Sequence, residues 1–504
     1  MVQKILKFWL FLLSCLVTPF IMLQALRKRK QLPPIKNHHL LVSATELARR
    51  IRTKEVTSEE VVKAYIERCE DVNPILNAIV ETRYEAAIQE ARKVDEFLAG
   101  TTETVEELAR TKPLLGVPMT VKESIAVQGL SHTVGVKKKV PIRADEDADV
   151  VTKIREAGAI ILLVSNTPEL CLAWETSNLV TGSTWNPYDT NRTSGGSSGG
   201  EAALLGSAGS VVSLSSDIAG SARFPAMCCG VFGHKPTANS VSSMGHNPTS
   251  TDKNWNNYFS IGTMTRYADD LDLIMRIISH SGDVSRRFEQ TVSLKNMKFY
   301  YLEECCGVTC SISRDMKEPI HKLRMHLETT YGTKVQKVRE KIFNNEYFKS
   351  LGVSCRIFLE ILKFIFRVSP YSLSIIAYGF TKWLYSKFPK SYCNNMADKM
   401  ASLKKQFEDV LGDNGVLIYP SFITPAHYRY QMYPRIANYT YMMLYNVLGF
   451  PVTQCPMGLN RQGLPVGLQI IANPGNDHLT IAMAKEIQNA FGGWQQPPAT
   501  EITV

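Results

Sequence analysis

Short apolar runs alternate with amphipathic stretches along most of this chain. Apolar runs of strand length that recur between stretches of helical spacing predict an α/β fold with a central sheet. The predicted strands lie at 114–124, 160–164, 210–214, 297–302, 416–419 and 467–471. The predicted helices include two within 43–73, the second ended by Asn73-Pro74, and others at 147–157, 201–206, 396–411 and 477–491.

The N-terminal region departs from this alternation. The 19 residues from Phe8 to Leu26 carry no charge. As a helix they would be about 28 Å long, which is near the thickness of a bilayer core. The stretch runs directly into Arg27-Lys28-Arg29-Lys30, with no small-residue cleavage site. This favours an uncleaved single-pass anchor over a signal peptide, and the basic flank predicts a body on the cytoplasmic side.

Composition narrows the classes of partner and cofactor. The 504 residues include 57 basic and 47 acidic side chains, a net charge of +10, and 44% of them are hydrophobic. Six of the basic residues precede residue 31 with no acid beside them, so the body is near +4 (10 − 6) and no nucleic-acid partner is expected. The eleven cysteines show no C-x-x-C spacing, and those at 305, 306 and 310 lack a fourth zinc ligand. We expect reduced thiols, no metal and no cofactor.

A segment rich in glycine and serine, 191–230, is the strongest candidate for chemistry. It contains GGSSGG at 195–200 and DIAGS at 217–221, separated by a predicted short helix and a predicted buried strand. This order can bring both serine loops to one end of the sheet. Taken alone, such loops are typical of simple connections or of a phosphate cradle.

Lys122 changes the interpretation of these loops. A lysine at the end of an apolar strand is usually solvated or paired with an acid. If Lys122 is instead packed between apolar strand residues and the serine loops, desolvation lowers its pKa and leaves a neutral amine that can accept a proton. A base of this kind could activate a serine directly or through a second hydroxyl.

Four stretches of the chain together resemble the amidase signature family. They are GVPMTVKE, WNPYDTNRTSGGSSGGEAAL, SSDIAGSARFPAMCCGVFGHKPT and LGFPVTQCPMGLNRQGLPVGLQ, and the resemblance covers about 43–493 in order and spacing. Within the family, the N-terminal segment and the middle of the chain are most similar to the membrane-bound fatty-acid amide hydrolases, the type 2 group in particular. The resemblance implies the amidase-signature fold, in which helices cover both faces of a mixed, twisted central sheet.

The resemblance also implies a Ser-cisSer-Lys triad. It makes Ser221 the nucleophile, Ser197 the bridging serine that follows a cis peptide and contacts substrate, and Lys122 the base. Cys171 matches a position that faces the substrate. The implied oxyanion donors are the backbone N–H groups of Ile218, Ala219, Gly220 and Ser221, although the family often has glycine at the second of these positions. The implied residues that orient the loops are Ser198, Asp217 and Arg223.

These features together predict a domain plan and a function. We expect an anchor at 1–30, a linker at 31–42, a catalytic domain at 43–495 and a tail at 496–504. The segment 351–388, with basic residues among large apolar ones, is predicted to be a membrane-facing cap. The implied reaction is hydrolysis of long-chain fatty-acid amides, such as primary amides and N-acylethanolamines, at an endomembrane or lipid-droplet surface. A homodimer is a further expectation.

Three other functions fit some of the same residues. The first is an amidase of the same family that acts on a small amide, including the glutamine-amidotransferase type. The second is an α/β-hydrolase, because GSSGG fits G-x-S-x-G with Ser198 as nucleophile and His427 or His478 as base. The third is a catalytically inactive membrane protein that binds lipid.

Overall fold

The fold is built on one large mixed sheet. The structure is a computed structural model that describes residues 2–137, 142–280, 282–304, 310–338, 372, 379 and 390–499. The sheet has 11 strands in the order β1-β3-β2-β6-β8-β7-β12-β13-β11-β9-β10, and β4 and β5 form a separate pair. The strands are β1 Ile79–Thr82, β2 Pro118–Lys122, β3 Ile160–Ser165, β4 Ser177–Asn178, β5 Gly182–Ser183, β6 Val212–Asp217, β7 Phe232–Lys235, β8 Ser260–Thr265, β9 Lys298–Tyr301, β10 Gln336–Lys337, β11 Gly415–Pro420, β12 Val452–Leu459 and β13 Pro465–Ala472.

Both faces of the central strands are covered. Every residue of β2, β3, β6, β8, β11 and β13 is buried. Because successive side chains of a strand point to opposite faces, continuous burial requires packing on both sides of the sheet. Strands β3, β2 and β6 run parallel to one another, whereas β6, β8, β7, β12, β13 and β11 are linked by antiparallel pairs. The α/β fold with a mixed sheet is confirmed.

The α-helices of the described residues include three that precede the first strand and others that lie between or after the strands. They are α1 Val2–Ala25, α2 Ala44–Arg52, α3 Ser58–Leu76, α4 Tyr84–Gly100, α5 Val105–Thr111, α6 Asp149–Glu156, α7 Gly199–Gly206, α8 Arg223–Cys228, α9 Trp255–Tyr258, α10 Ala268–Ile278, α11 Gly282–Arg287, α12 Arg314–Tyr331, α13 Lys390–Leu411, α14 Thr440–Leu448 and α15 Asp477–Phe491. Short 3-10 helices lie at His38–Leu41, Glu169–Cys171, Leu294–Asn296 and Tyr433–Tyr439.

The end of α3 corrects one prediction. The helix continues past Asn73-Pro74 to Leu76, and Asn77 closes it in the left-handed conformation at φ 52°. Pro74 lies in the last turn, so its missing N–H removes at most one hydrogen bond of the helix. Asn73 Oδ1 then accepts the N–H groups of Ala78 and Ile79 at 2.8 and 3.1 Å, which stabilises the exit of the chain.

Helix α1 contains the predicted apolar stretch, but the prediction that it spans a membrane is not confirmed. Within the described residues, no helix was found that is both long and apolar enough to cross a membrane. The side chains of residues 1–10 and of Leu13 are outside the described part of the chain. The far end of α1 contacts the body, where Gln24 exchanges two hydrogen bonds with the backbone of Arg429 at 3.2 and 3.3 Å.

The remaining predicted segments are described only in part. Leu32 and Leu40, within the predicted linker, are buried and belong to the main apolar core. The strand bridge from Leu32 to Ala499 joins this linker to the predicted tail, of which 500–504 lie outside the described residues. The predicted cap at 351–388 also lies outside them, except for 372 and 379.

Candidate active site

Two neighbouring parallel strands place the candidate groups at one edge of the sheet. Strand β2 pairs with β6 through Thr120 with Ser213 and Val121 with Leu214. Since parallel strands end on the same side, Lys122 at the end of β2 lies beside the last residues of β6 and the loop that follows them. The structure therefore brings together the lysine and the DIAGS loop, which are far apart in sequence.

The GGSSGG loop is held against this edge by its neighbours. The Gly196–Ser197 peptide is cis, as predicted. Gly195 has φ 83°, and a Cβ there would lie 2.6 Å from the Cα of Pro225, so only glycine fits without displacing backbone. Thr176 Oγ1 donates to the Gly195 carbonyl at 2.9 Å, and Thr167 Oγ1 donates to the Ser197 carbonyl at 3.1 Å.

Lys122 contacts the serine of this loop. Its Nζ lies 2.7 Å from Ser197 Oγ, and both side chains are completely buried. Burial lowers the pKa of Lys122 from its usual value, although nearby Cys171 and Asp217 act in the opposite direction. Most lysines are solvated or paired with an acid. Lys122 is neither, since it is buried and no described carboxylate forms an ion pair with it.

Ser216 and His246 determine which group donates in the hydrogen bond between Lys122 and Ser197. The Pro248 carbonyl can only accept, so His246 Nδ1, at 2.8 Å from it, carries the ring hydrogen. Burial also lowers the pKa of His246 to about 3, so the ring is neutral and its Nε2 has a free lone pair. The Ser216 hydroxyl, 3.0 Å away, must therefore donate to Nε2, and its oxygen accepts an N–H from Lys122 Nζ at 2.9 Å. The lone pair of a neutral Lys122 is then free to accept the hydroxyl hydrogen of Ser197.

A buried ion pair between Arg223 and Asp217 holds the DIAGS loop in place. Arg223 donates through Nε and Nη2 to the two carboxylate oxygens of Asp217 at 3.0 Å each, and neither side chain is exposed. Burial alone would raise the pKa of Asp217, but the Arg223 guanidinium and the Asn446 amide hold it well below its usual range. Arg223 also donates to Asn446 Oδ1 and Gln469 Oε1, both at 2.7 Å. The predicted loop-orienting pair is thus fully hydrogen-bonded.

The backbone of the DIAGS loop corrects one predicted oxyanion donor. The Gly220 N–H donates to Asp217 Oδ1 at 2.8 Å, so this donor is already occupied within the loop. The N–H groups of Ile218, Ala219 and Ser221 stay predicted donors. Ala219 is not among the residues with positive φ, so alanine is accommodated at the position where the resemblance implies that glycine is common.

Ser198 and Cys171 are two further residues of the predicted site. The Ser198 N–H donates to the Ser221 carbonyl at 3.1 Å and so links the two serine loops. Its hydroxyl makes a long 3.5 Å contact with the Ser216 carbonyl, and no histidine in the described part of the chain bonds to it, which argues against the α/β-hydrolase arrangement. Cys171 is half-buried, has φ 59°, and its Sγ lies 3.3 Å from Thr167 Oγ1.

Sequence reasoning missed several of these residues. Ser216 could have been found, because it immediately precedes Asp217 on a strand that ends at the site. His246 has no recognisable signal, since it lies in a loop and reaches the site only through the fold. Glu201, in the first turn of α7 after the serine loop, was also missed: it is buried, accepts from Thr120 Oγ1, and burial raises its pKa to about 7.

Comparison with known proteins identifies the family. A sequence model of the family described as Amidase matches residues 60–344 and 364–481. The chain belongs to the amidase signature family. This amidase chain is 37% identical over 497 residues to fatty-acid amide hydrolase 2-B of Danio rerio, which covers 94% of this chain and 93% of that protein. It is also 37% identical over 493 residues to fatty-acid amide hydrolase 2 of Homo sapiens, which covers 92% of each.

A solved structure extends the match to the fold. A structure of a fatty acid amide hydrolase superposes on this amidase with a TM-score of 0.73 at 21% identity, over 92% of this chain and 87% of that one. Identity at this level shows a shared fold and no more. The family and the two relatives together support an amidase-type hydrolase function for this chain.

Proposed function

We propose that this protein is a serine amidase that hydrolyses long-chain fatty-acid amides, including primary amides and N-acylethanolamines, through an acyl-enzyme on Ser221. The observation that carries the proposal is the contact of the desolvated Lys122 with Ser197. It pairs a base whose pKa is lowered with a hydroxyl whose loop is hydrogen-bonded to the backbone of Ser221.

The first half of the reaction forms the acyl-enzyme. Ser221 Oγ attacks the amide carbonyl carbon while its proton passes to Ser197, and the proton of Ser197 passes to the lone pair of Lys122. The negative charge on the carbonyl oxygen is stabilised by backbone N–H groups of the DIAGS loop. Collapse of this intermediate breaks the carbon–nitrogen bond and leaves the acyl group on Ser221.

The same relay supplies the proton that the leaving group needs. An amide nitrogen departs poorly as an anion, so Ser197 donates a proton to it and is reprotonated by the Lys122 ammonium. The amine leaves, and a water molecule then attacks the ester carbonyl with its proton accepted through the same two groups. Fatty acid is released, and both Ser221 and the neutral lysine are restored.

The preference for fatty-acid amides is supported by the relatives. Both are called fatty-acid amide hydrolases, and the similarity extends over more than nine-tenths of this chain. An aromatic cluster packs directly behind the nucleophile loop, where the Trp174 ring stacks on Phe224 at 4.7 Å and meets Tyr439 at 4.5 Å. The Trp174 and Phe224 rings belong to a buried apolar core cluster that also includes Phe422, so the surroundings next to the nucleophile loop are apolar.

We also propose that α1 attaches the protein to a membrane. Its described side chains include large apolar ones that are mostly exposed, such as Leu16 at 69% and Phe20 at 63%. Contact with a lipid surface would remove this apolar area from water, at a gain of about 25 cal/mol per Å². The organelle and the homodimer stay predictions from the sequence.

Labelling with a fluorophosphonate probe, followed by turnover of an oleoyl amide, tests the catalytic proposal. Ser221→Ala should lose labelling, and Lys122→Ala should slow both labelling and turnover by at least about a hundredfold, as expected for loss of a general base. Ser213→Ala is the control, because Ser213 is a buried serine on β6, the strand that leads into the DIAGS loop, and its Oγ contacts the Met264 carbonyl at 3.5 Å and the Glu201 side chain rather than a residue of the proposed triad.

The outcomes separate the competing functions. Labelling that persists in Ser221→Ala would contradict the assignment of the nucleophile, and labelling lost only in Ser198→Ala would favour the α/β-hydrolase arrangement. Normal labelling together with cleavage of acetamide but not of the oleoyl amide would point to a small-amide substrate. No labelling of the folded, unsubstituted protein would favour an inactive lipid-binding protein.

A further inference from the structure

A small basic pocket lies where α1 meets the body of the protein. Its volume is about 210 Å³, and its lining includes Arg27, Lys28, Lys30, Trp185, Thr190 and Asn191. The backbone that carries the basic side chains is fixed at both ends. Asn191 Nδ2 donates to the Arg27 carbonyl at 2.6 Å, and the Lys30 N–H donates to Thr190 Oγ1 at 2.8 Å. A ligand would therefore meet basic residues whose backbone is already held in place, which lowers the entropic cost of binding.

The positive charge of this pocket is not neutralised by the protein. Arg29, the fourth basic residue of the segment, pairs with Asp189 at 3.2 Å. The same carboxylate accepts from Arg192 at 3.0 Å, so it already serves two guanidinium groups. No carboxylate in the described part of the chain pairs with the basic side chains at 27, 28 and 30. A negatively charged group is therefore the ligand that such a pocket favours.

The surroundings of the pocket indicate where this anion comes from. Leu26, which directly precedes the basic segment, is 83% exposed, and Met22 and Leu23 one turn earlier are also exposed. The pocket itself includes the half-buried ring of Trp185, a residue type that is enriched at the boundary between lipid and water. A dissolved phosphate would make no apolar contacts with these neighbours. A phospholipid carries a phosphate close to its acyl chains and could contact both the basic and the apolar side chains.

We propose that the basic pocket binds the phosphate group of an anionic phospholipid in the membrane to which α1 is attached. The inference rests on the proposed membrane association and is independent of the catalytic assignment. The apolar side chains of α1 enter the acyl region, while the basic side chains lie at the level of the headgroups, as basic side chains beside an apolar helix do at an interface. The pocket thereby fixes how the body is oriented on the bilayer.

Flotation of the full-length protein with lipid vesicles tests this site. The vesicles are pure phosphatidylcholine or phosphatidylcholine mixed with phosphatidylserine. One variant carries Arg27→Gln, Lys28→Gln and Lys30→Gln. The matched control carries Lys93→Gln, Lys295→Gln and Lys405→Gln, which removes the same number of charges from exposed positions elsewhere. Hydrolysis of a detergent-solubilised oleoyl amide is measured in parallel.

The pocket variant should bind mixed vesicles about a hundredfold more weakly than the unsubstituted protein, because each basic residue near an anionic surface contributes about a fivefold factor. The control variant should bind as the unsubstituted protein does, and neither should lose hydrolysis in detergent. Equal loss in both variants would overturn the proposal, since it would mean a general charge effect. Binding of inorganic phosphate to the protein in detergent that is lost in the pocket variant, together with unchanged flotation of that variant, would also overturn it in favour of a free phosphate ligand. If the unsubstituted protein and both variants all fail to hydrolyse the oleoyl amide while flotation is as expected, only the catalytic proposal is contradicted.

Discussion

Replacing His246 with leucine is expected to slow catalysis without weakening substrate binding. The change removes the Nε2 lone pair to which Ser216 donates at 3.0 Å. The Ser216 hydroxyl can then turn its hydrogen toward the lone pair of Lys122, 2.9 Å away, and compete there with Ser197. The lone pair of Lys122 then accepts from Ser216 instead of Ser197 for part of the time.

The size of this effect follows from the hydrogen bonds that change. Two neutral hydrogen bonds lose their partner or their direction, and each contributes about 1 kcal/mol net. A loss of about 2 kcal/mol in the transition state corresponds to a fall in kcat of about 30-fold. In the described part of the chain, the His246 ring hydrogen-bonds only to Ser216 and the Pro248 carbonyl, so we expect KM to stay within about twofold of the starting value.

His246→Gln is the informative control. The side-chain amide has an N–H that can donate to the Pro248 carbonyl and an oxygen that can accept from Ser216, so it can replace both ring nitrogens of the neutral imidazole. Steady-state turnover and the rate of fluorophosphonate labelling should be nearly normal in this variant and reduced in His246→Leu. Comparable activity of the leucine variant and the unsubstituted protein would refute the reasoning. Equal loss in both variants, with equal loss of thermal stability, would show that the histidine only packs.

Three further changes test the support of the site. Arg223→Met leaves Asp217 buried without its cation, and urea unfolding should show a loss of about 3–5 kcal/mol; a loss below 1 kcal/mol would contradict the buried pair. Burial raises the pKa of Glu201 to about 7, above its unfolded value. The unfolded chain therefore binds fewer protons between about pH 4.5 and 7, and stability falls as pH rises through this range by up to roughly 3 kcal/mol. Glu201→Gln should abolish that part of the slope, which melting curves at pH 5 and 8 would detect. Gly195→Ala should displace the serine loop and abolish labelling, whereas Gly129→Ala, at φ 79° with nothing within 4 Å, should retain it; equal labelling of both variants would show that the close approach does not matter.

The sequence determined most of the local structure and the identity of the central candidate residues. Strands such as Ile160–Ser165 and helices such as Asp477–Phe491 follow from continuous apolar runs and helical spacing, since these patterns are set by neighbours along the chain. Lys122 and the two serine loops were recognisable because they stand in long motifs whose residues are close in sequence. The continuation of α3 by two residues beyond Pro74 was not, because it depends on the hydrogen bonds that Asn73 makes after the helix ends.

The tertiary structure alone decided how these groups act on one another. Ser216 lies 94 positions from Lys122 and 30 from His246, and only the pairing of β2 with β6 and the path of a long loop bring the three together. The occupation of the Gly220 N–H by Asp217 was equally invisible in a motif that marks the whole loop as a donor. Hydrogen-bond direction depends on which donors and acceptors are neighbours in space and on their burial. These neighbours in space exist only once the sheet is assembled, so the order of residues along the chain does not reveal them.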